Sequence, residues 1–243
     1  MQARLMGIQV DNLTMDEALE RLAGYASTGQ GRVVSFLNAH CANVARRDPA
    51  YRLALAESDL VLPDGSGVRL AGSVLGQPIR ANVNGTDLFP RLCARLEREG
   101  RSLYLLGAAP KVAEGVVAWL RRHHPELRVA GWRHGYFAPD EEARVVEEIA
   151  AAAPDVLLVA LGVPRQELFL ARHRAALGAR VALAVGGLFD FYSGRLPRAP
   201  LALRRLGMEW SWRLAQEPRR LWRRYLVGNL EFLAQVLLHF LKT

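Results

Sequence analysis

The chain has 243 residues, of which 51% are hydrophobic, and a formal net charge of +8 at pH 7. This length allows a full hydrophobic core in one domain together with an appendage. A secretory leader and an apolar run near the ~20 residues that span a bilayer are both lacking, so we expect a cytoplasmic protein. Cys41 and Cys93 stand far apart and outside any CxxC motif, which argues against a disulfide framework or a structural zinc site.

The first part of the chain predicts strands that alternate with helices. Arg4–Val10 predicts one strand. Arg32–Leu37 predicts a buried strand that ends at Asn38, ahead of a single helix predicted from about His40 to Ala56. Asn38 therefore falls at a strand end, where an open α/β sheet collects its functional side chains.

A further strand, Asp59–Leu62, leads into the turn Pro63-Asp64-Gly65-Ser66-Gly67. Two glycines near a carboxylate let a ligand approach the backbone closely and leave Asp64 exposed at the turn. We interpret Asp64 as an acid/base group. The alternative is that Asp64 caps the predicted helix Gly67–Leu75, and the two roles are compatible.

The middle of the chain continues the alternation. Ser102–Leu106 predicts a strand that ends at Gly107, and Leu127–Trp132 predicts another that is followed by Gly135 and Tyr136. Tyr136 could stack on a base or a sugar, but we favour a partly buried tyrosine with its hydroxyl at the surface. The motifs GxGxxG and GxxxxGK[ST] are missing here, which weakens a dinucleotide-binding or P-loop interpretation.

The stretch Pro154–Glu167 is the centre of the predicted fold. Its apolar run, Val156–Ala160, passes directly into a Gly-Pro turn and a helical pattern, as a buried strand does when it delivers polar side chains to a ligand crevice. Arg165, Gln166 and Glu167 then lie near open backbone N–H groups. The alternative is an ordinary strand-to-helix connection with a solvated Arg and Glu.

The last predicted strand, Ala179–Val185, ends in the loop Gly186–Gly194. Gly186 and Gly187 leave N–H groups open to an anion, and Asp190 can accept a hydrogen bond from a sugar hydroxyl. The alternation over residues 32–194 predicts an α/β fold with a mostly parallel, Rossmann-like sheet and helices on both faces. One edge of that sheet would hold Asn38, Asp64, Gly107, Gly135, Gln166 and Asp190.

The composition changes near residue 196, so we divide the chain into a core, residues 1–196, and a helical appendage, residues 197–243. Residues 195–243 hold ten Lys or Arg and three Glu, a balance of +7, whereas residues 1–194 are nearly neutral. Helices are predicted over Met208–Ala215 and from Glu217-Pro218 to Leu241. The second is amphipathic with a basic start, which suits an anionic membrane surface; the alternative is a helix packed on the core with a solvated Arg face.

Six blocks of this sequence occur together in a recognisable order: FLNAHCANVA, LVLPDGSGV, LLGAAPKVAE, ALGVPRQE, AVGGLFDFYSGRLPRAP and GMEWSWRLAQEPRRLWRRY. In this order they resemble the WecG/TagA/CpsF family of bacterial glycosyltransferases over about residues 4–228. The resemblance implies transfer of a sugar, often N-acetylmannosamine or its uronic acid, from a UDP-sugar to a polyprenyl-diphosphate-linked sugar. It also implies cell-envelope exopolysaccharide synthesis by a peripheral protein at the inner face of the cytoplasmic membrane.

The resemblance assigns the general base to Asp64 and places Gln166 in the site. With Asn38, these are the candidate catalytic residues. The candidate substrate-binding residues are Gly107, Tyr136, Arg165, Glu167, Gly186, Gly187, Asp190, Arg213, Arg220 and Arg224, with Arg223 as the alternative to Arg224. We expect no cofactor and no metal, because a DxD pair is missing and arginines with helix N-termini can offset charge on the departing UDP.

Two positions depart from the family pattern and bear on substrate identity. Phe36 stands where many relatives carry Thr, and Asn82 stands where many carry Arg. Two other classes of protein stay open: a soluble nucleotide-dependent enzyme such as a Rossmann-like oxidoreductase, and a nucleic-acid-binding protein. The near-neutral first 194 residues argue against nucleic acid. The donor sugar, the linkage and a homo-oligomeric state also stay open.

Overall fold

The computed structural model describes residues 2–242. Its strands are β1 (Gln2–Leu5), β2 (Ile8–Asp11), β3 (Arg32–Leu37), β4 (Leu60–Pro63), β5 (Ser102–Gly107), β6 (Arg128–Arg133), β7 (Val156–Ala160) and β8 (Val181–Ala184). Over residues 2–242, β1 and β2 form an antiparallel hairpin and the other six strands form one parallel sheet in the order β4-β3-β8-β7-β5-β6. The predicted parallel α/β sheet is confirmed.

Helices follow nearly every strand. They are α1 (Met15–Thr28), α2 (Ala39–Arg47), α3 (Pro49–Ala56), α4 (Ser66–Val74), α5 (Gly85–Arg98), α6 (Pro110–His123), α7 (Glu142–Ala152), α8 (Arg165–His173), α9 (Leu188–Tyr192), α10 (Leu201–Arg205), α11 (Glu209–Gln216), α12 (Pro218–Trp222) and α13 (Gly228–Phe240). A π-helical segment, Arg223–Val227, joins α12 to α13. Among residues 2–242, none of the helices has both the length and the apolar character to cross a membrane.

The sheet is covered on both faces, as β7 illustrates. Val156 and Leu158 pack with apolar side chains of α1, α5 and α6, whereas Leu157 and Val159 pack with those of α7 and α8. All five residues of β7 are buried. A strand that is buried on both faces consists of a continuous run of apolar residues, which is why this segment was recognisable in the sequence.

The N-terminal segment differs from the prediction. The single strand expected over Arg4–Val10 is wrong, because Met6 and Gly7 both have positive φ and turn the chain back into the β1–β2 hairpin. Positive φ at both central residues is the geometry of a tight two-residue hairpin turn, and glycine adopts it without steric cost. Apolar residues lie close on both sides of the turn, so the segment resembles one apolar run, although the alternation shifts by one residue between Leu5 and Ile8.

The single helix predicted over His40–Ala56 is also wrong. Asp48 ends α2 and caps α3, where its carboxylate accepts a hydrogen bond from the Tyr51 N–H at 3.1 Å. Pro49 is the first residue of α3. Proline has no N–H to donate to the preceding turn but suits the first position of a new helix, so the chain bends here.

The C-terminal residues pack on the core. The helix predicted over Met208–Ala215 is α11, and the single helix predicted from Glu217 to Leu241 is a path of α12, the π-helical segment and α13. Phe232 and Val236 of α13 are buried in the same apolar cluster as side chains of α2 and α4. The structure also contains α10, and α9 lies within the predicted loop Gly186–Gly194. The division of the chain at residue 196 stays a prediction.

Candidate active site

The neighbouring strands β3 and β4 bring Asn38 and Asp64 together. Leu37 and Pro63 are register partners in the parallel pair, so the residue that follows each strand lies at the same edge. The Asn38 side-chain N–H donates to Asp64 Oδ2 at 3.2 Å, while its Oδ1 accepts from the Cys41 N–H at 3.0 Å and caps α2. Asn38 therefore orients the carboxylate from a fixed position.

Asp64 does not cap the following helix, so that alternative is wrong. The N-cap of α4 is Gly65, whose φ of 96° lies in the region that favours glycine, and no side chain caps this helix. The Gly65 N–H donates instead to Asn82 Oδ1 at 2.7 Å. Because Asn82 holds the turn, the Asp64 carboxylate is available to a ligand.

Asp64 lines a cleft of about 740 Å³, a volume within the ordinary range of ligand sites. Burial raises the pKa of Asp64, and the hydrogen bond from Asn38 and the positive charges of Arg224 and Arg213 lower it part of the way. A carboxyl group with a raised pKa is better matched to proton transfer near neutral pH.

The core and the C-terminal residues both contribute to this cleft. The core residues come from the start of α2, from α4 and the turn before it, from the start of α5 and the segment before it, and from α9: Asn38, Ala39, His40, Asp64, Gly65, Ser66, Gly67, Leu70, Asn82, Asn84, Thr86 and Phe191. The C-terminal residues are Arg204, Gly207, Glu209, Trp210, Arg213, Arg224, Tyr225, Leu226, Asn229, Leu230, Phe232 and Leu233. The cleft thus has a polar floor and a mixed basic and apolar wall.

Hydrogen bonds and ion pairs hold the C-terminal wall of the cleft against the core. Ser66 Oγ donates to the Gly207 carbonyl at 2.8 Å, and Asn43 donates to the Gly228 carbonyl at 2.7 Å. Glu231 of α13 pairs with Arg46 at 2.7 Å and also with Arg47 of α2. The position of α13 beside the cleft is therefore set by hydrogen bonds and ion pairs as well as by Phe232 and Val236.

Two arginines of the wall lack a carboxylate partner. Within residues 2–242, neither Arg213 nor Arg224 makes an ion pair, and the Nε atom of each is buried without a hydrogen-bond partner. Arg213 lies over the Phe191 ring at 4.9 Å, and Arg224 lies over the Tyr225 ring at 5.5 Å. Stacked guanidinium groups that make no ion pair are suited to an anionic ligand.

His40 also lines the cleft and was not among the predicted site residues. Burial and the charges of Arg224 and Arg47 lower its pKa to about 4, so the imidazole is neutral at pH 7. Its place two residues after Asn38, at a predicted strand end, was the available signal. Glu209, Trp210, Tyr225 and Arg204 were missed because only the docking of the C-terminal residues brings them here.

Gln166 and Glu167 are both buried and do not line the cleft. Gln166 Oε1 accepts from the Gly162 N–H at 3.2 Å and the Gly186 N–H at 3.0 Å, and its Nε2 donates to Glu167 Oε1 at 2.9 Å. Gln166 thus joins the loops that follow β7 and β8. The solvated Glu of the ordinary-connection alternative is wrong, because Glu167 is only 2% exposed.

The remaining predicted residues are distributed along the sheet edge. Gly186 and Gly187 follow β8, and the Arg213 guanidinium lies close to the position that a Cβ on Gly187 would occupy. Asp190 pairs with Arg195 at 2.6 Å and lies 3.9 Å from Arg220, while Glu217 pairs with both arginines at 2.8 Å. Arg220 therefore joins an ion network outside the cleft.

The far end of the sheet holds the other three candidates. Gly107 ends β5 with a φ of 128°, and a Cβ there would lie 2.4 Å from the Ala160 carbonyl oxygen, so a close backbone contact requires glycine. Arg165 donates to the Gly135 and Phe137 carbonyls at 3.1 and 3.4 Å. Tyr136 is 76% exposed, so the partly buried tyrosine that we favoured is wrong. None of the three lines the cleft.

Of the two departures from the family pattern, only Asn82 reaches the cleft. Phe36 is 6% exposed and packs in the core beneath the sheet edge, near Gly85. Asn82 lines the cleft and supports the Asp64 turn.

Two known enzymes and one family model are similar to this chain in sequence. An enzyme of Bacillus spizizenii, named N-acetylglucosaminyldiphosphoundecaprenol N-acetyl-beta-D-mannosaminyltransferase, is 34% identical over 202 residues, which are 83% of this chain and 77% of that protein. The enzyme of the same name from Bacillus subtilis is 35% identical over 196 residues, 81% of this chain and 75% of that protein. The model of the glycosyl transferase WecG/TagA/CpsF family matches residues 3–243. The chain therefore belongs to the WecG/TagA/CpsF family and is a glycosyltransferase of cell-envelope polysaccharide synthesis.

Proposed function

We propose that this enzyme transfers an N-acetylmannosamine-type sugar, or a related hexose or uronic acid, from a UDP-sugar to a sugar on a polyprenyl diphosphate. The names of the two Bacillus relatives support the transferred sugar and the lipid-linked acceptor. The UDP donor follows from the family resemblance of the sequence. The observation that carries the proposal is the Asp64 carboxylate in a cleft that two arginines line without any carboxylate partner within residues 2–242.

In the proposed reaction, Asp64 acts as general base. A hydroxyl oxygen of the acceptor sugar forms a bond to the anomeric carbon of the donor, while the bond from that carbon to the UDP oxygen breaks. The hydroxyl proton passes to Asp64, and UDP leaves with the bonding electron pair. Asn38 donates a hydrogen bond to Asp64 Oδ2, whereas Oδ1 has no hydrogen-bond partner among residues 2–242. We therefore assign Oδ1 as the oxygen that accepts the proton.

The diphosphate groups of the two substrates require positive charge. Arg213 and Arg224 would donate charge-assisted hydrogen bonds to them and would offset the charge that develops on the departing UDP. The proposal includes no metal and no other cofactor. Gln166 would contribute indirectly, by holding the Gly186 loop in place for the nucleotide.

We also propose that the enzyme works as a peripheral protein at the inner face of the cytoplasmic membrane. The enzyme must meet a lipid-linked acceptor at the membrane in which the polyprenyl chain is embedded. The basic residues of 195–243 and the exposed apolar side chains at the end of α13, Leu237, Leu238 and Phe240, would lie toward that surface.

Release of UDP tests the reaction and the base together. The wild type and Asp64→Asn are compared on a panel of UDP-sugars with a short-chain polyprenyl-diphosphate sugar as acceptor. We expect acceptor-dependent release from at least one donor, and a loss of roughly 10²- to 10⁴-fold in Asp64→Asn while UDP still binds, because only the proton acceptor is removed.

Asp140→Asn is the matched control, since Asp140 is exposed and does not line the cleft. This variant should keep full turnover. An Asp64→Asn enzyme as active as the control would show that Asp64 is not the base. The glycosyl-donor proposal fails if the wild type neither binds UDP nor releases it from any donor.

A further inference from the structure

One side of the cleft is built from exposed leucines, which we call the leucine wall: Leu70 of α4, with Leu226, Leu230 and Leu233 of the C-terminal path. These four side chains are between 44% and 70% exposed. Leu226, Leu230 and Leu233 are spaced by four and three residues, so they share one side of the helix. Leu70 belongs to the core, so the leucine wall is formed jointly by the core and by the C-terminal path.

The leucine wall is held in place from its opposite side. Phe232 and Val236 are buried against α2 and α4, and Phe232 lies 3.6 Å from the position that a Cβ on Gly67 would take. Glu231 pairs with Arg46 across the same junction. The exposed leucines are therefore a fixed feature of the folded enzyme rather than the outer face of a detached helix.

The chemistry of the cleft changes in a defined order. Asp64 and Asn38 form its polar floor, Arg224 supplies a positive charge without an ion-pair partner among residues 2–242, and Leu226 follows only two residues later on the same helical path. A polyprenyl-diphosphate sugar has the same order: a hydroxyl-bearing sugar, a diphosphate and an apolar chain.

We propose that the leucine wall binds the first isoprenoid units of the lipid-linked acceptor, directly beside the diphosphate at Arg224. This inference rests on the proposed function. Burial of the apolar chain between Leu70 and the leucines of α13 would remove apolar surface of both partners from water and add to the affinity for the diphosphate. The wall would thereby select acceptors by their lipid as well as by their sugar.

Binding of farnesyl diphosphate, which carries no sugar and cannot react, tests this inference without turnover. Its dissociation constant is measured by calorimetry at concentrations below its aggregation threshold, with inorganic diphosphate as the reference ligand. We expect the wild type to bind farnesyl diphosphate at least about tenfold more tightly than inorganic diphosphate. Leu230→Gln and Leu233→Gln should each reduce that ratio severalfold.

Leu238→Gln is the matched control, because Leu238 is 57% exposed on the same helix but does not line the cleft. It should keep the wild-type ratio. A wild type that binds both ligands equally would overturn the inference, whatever its activity with UDP-sugars. The inference is also overturned if the two variants keep the ratio and lose only sedimentation with anionic vesicles, since the leucines would then serve membrane adsorption. Failure of the glycosyl transfer itself would appear instead as absent UDP release.

Discussion

At the scale of single residues, the site depends on amide side chains that position a carboxylate. Asn38 holds Asp64 Oδ2, and Asn82 holds the N–H of Gly65 beside it. The first contact joins residues 26 positions apart in the chain and the second joins residues 17 positions apart, so both depend on the tertiary fold. Asn82, where this chain departs from the family pattern, therefore supports the turn that carries the proposed base and also faces the cleft.

The environment of Glu167 makes the stability of the protein depend on pH. Burial raises its pKa to about 7, although the hydrogen bond from Gln166 opposes the shift, and Glu167 Oε2 is buried without a partner among residues 2–242. Between about 4.5 and 7 the folded chain retains a proton that the unfolded chain has lost. The free energy of unfolding therefore falls as pH rises through this window.

We expect Glu167→Gln to remove this fall in the free energy of unfolding with rising pH. Glutamine keeps an oxygen for the Gln166 hydrogen bond but never carries a charge, so the variant should exceed the wild type in stability at pH 8 by up to about 3 kcal/mol. At pH 5 the two proteins should differ little. Urea unfolding at both pH values measures this, with the exposed Glu114→Gln as control. A difference that is the same at pH 5 and pH 8 would contradict the buried charge.

At the scale of elements, α13 shows how one helix serves packing and the site at once. Phe232 and Val236 face the core, Glu231 faces the arginines of α2, and Leu230 and Leu233 face the cleft. A helix has room for these separate faces because residues three or four apart lie on the same side. The geometry of the cleft thus depends on the packing of α13.

Phe232→Ala tests that dependence. The side chain is 2% exposed, so its removal should leave a cavity and cost roughly 3 to 5 kcal/mol of unfolding free energy. Phe240→Ala on the same helix is the control, since Phe240 is 52% exposed and its loss should cost about 0.5 kcal/mol or less. Urea unfolding measures both, and equal effects would show that α13 is not packed as described.

At the scale of the whole molecule, the charge is concentrated in one segment. Residues 195–243 account for +7 of the net +8. Asp190, Arg195, Glu217 and Arg220 form the network that ties this segment to the end of β8. Other arginines, such as Arg219 and Arg223, are exposed and make no ion pair within residues 2–242, so they can meet an outside anion.

Vesicle binding should follow this distribution of charge. Because each basic residue near an anionic lipid surface contributes about 1 kcal/mol, the double change Arg219→Gln and Arg223→Gln should weaken binding by roughly tenfold or more at low salt. Arg121→Gln with Arg122→Gln removes the same charge from exposed positions on α6 and should have little effect. Sedimentation with phosphatidylserine vesicles measures this. Equal weakening by both pairs would mean that net charge, and not the C-terminal segment, drives binding.

Much of the fold was predictable because it depends on local patterns. The apolar runs of β3, β5, β7 and β8 and the helices between them identify a parallel α/β sheet without knowledge of the strand order. Asn38 and Asp64 were recognisable as strand-end residues for the same reason. The turn at Gly7 was missed because apolar residues lie close on both sides of it, and the helix break at Asp48 was missed although Pro49 is the typical signal for it.

The parallel sheet, the strand ends at which the candidate residues lie, the basic C-terminal segment and the family resemblance could all be read from the sequence, because each depends on short-range order along the chain. Which of those strand ends share one cleft depends on the tertiary fold. The strand order places β4 and β3 at one end and β5 and β6 at the other, so Asp64 and Asn38 meet while Gly107 and Tyr136 lie elsewhere. The leucine wall exists only because α13 packs on α2 and α4, and such long-range contacts leave no trace in local periodicity.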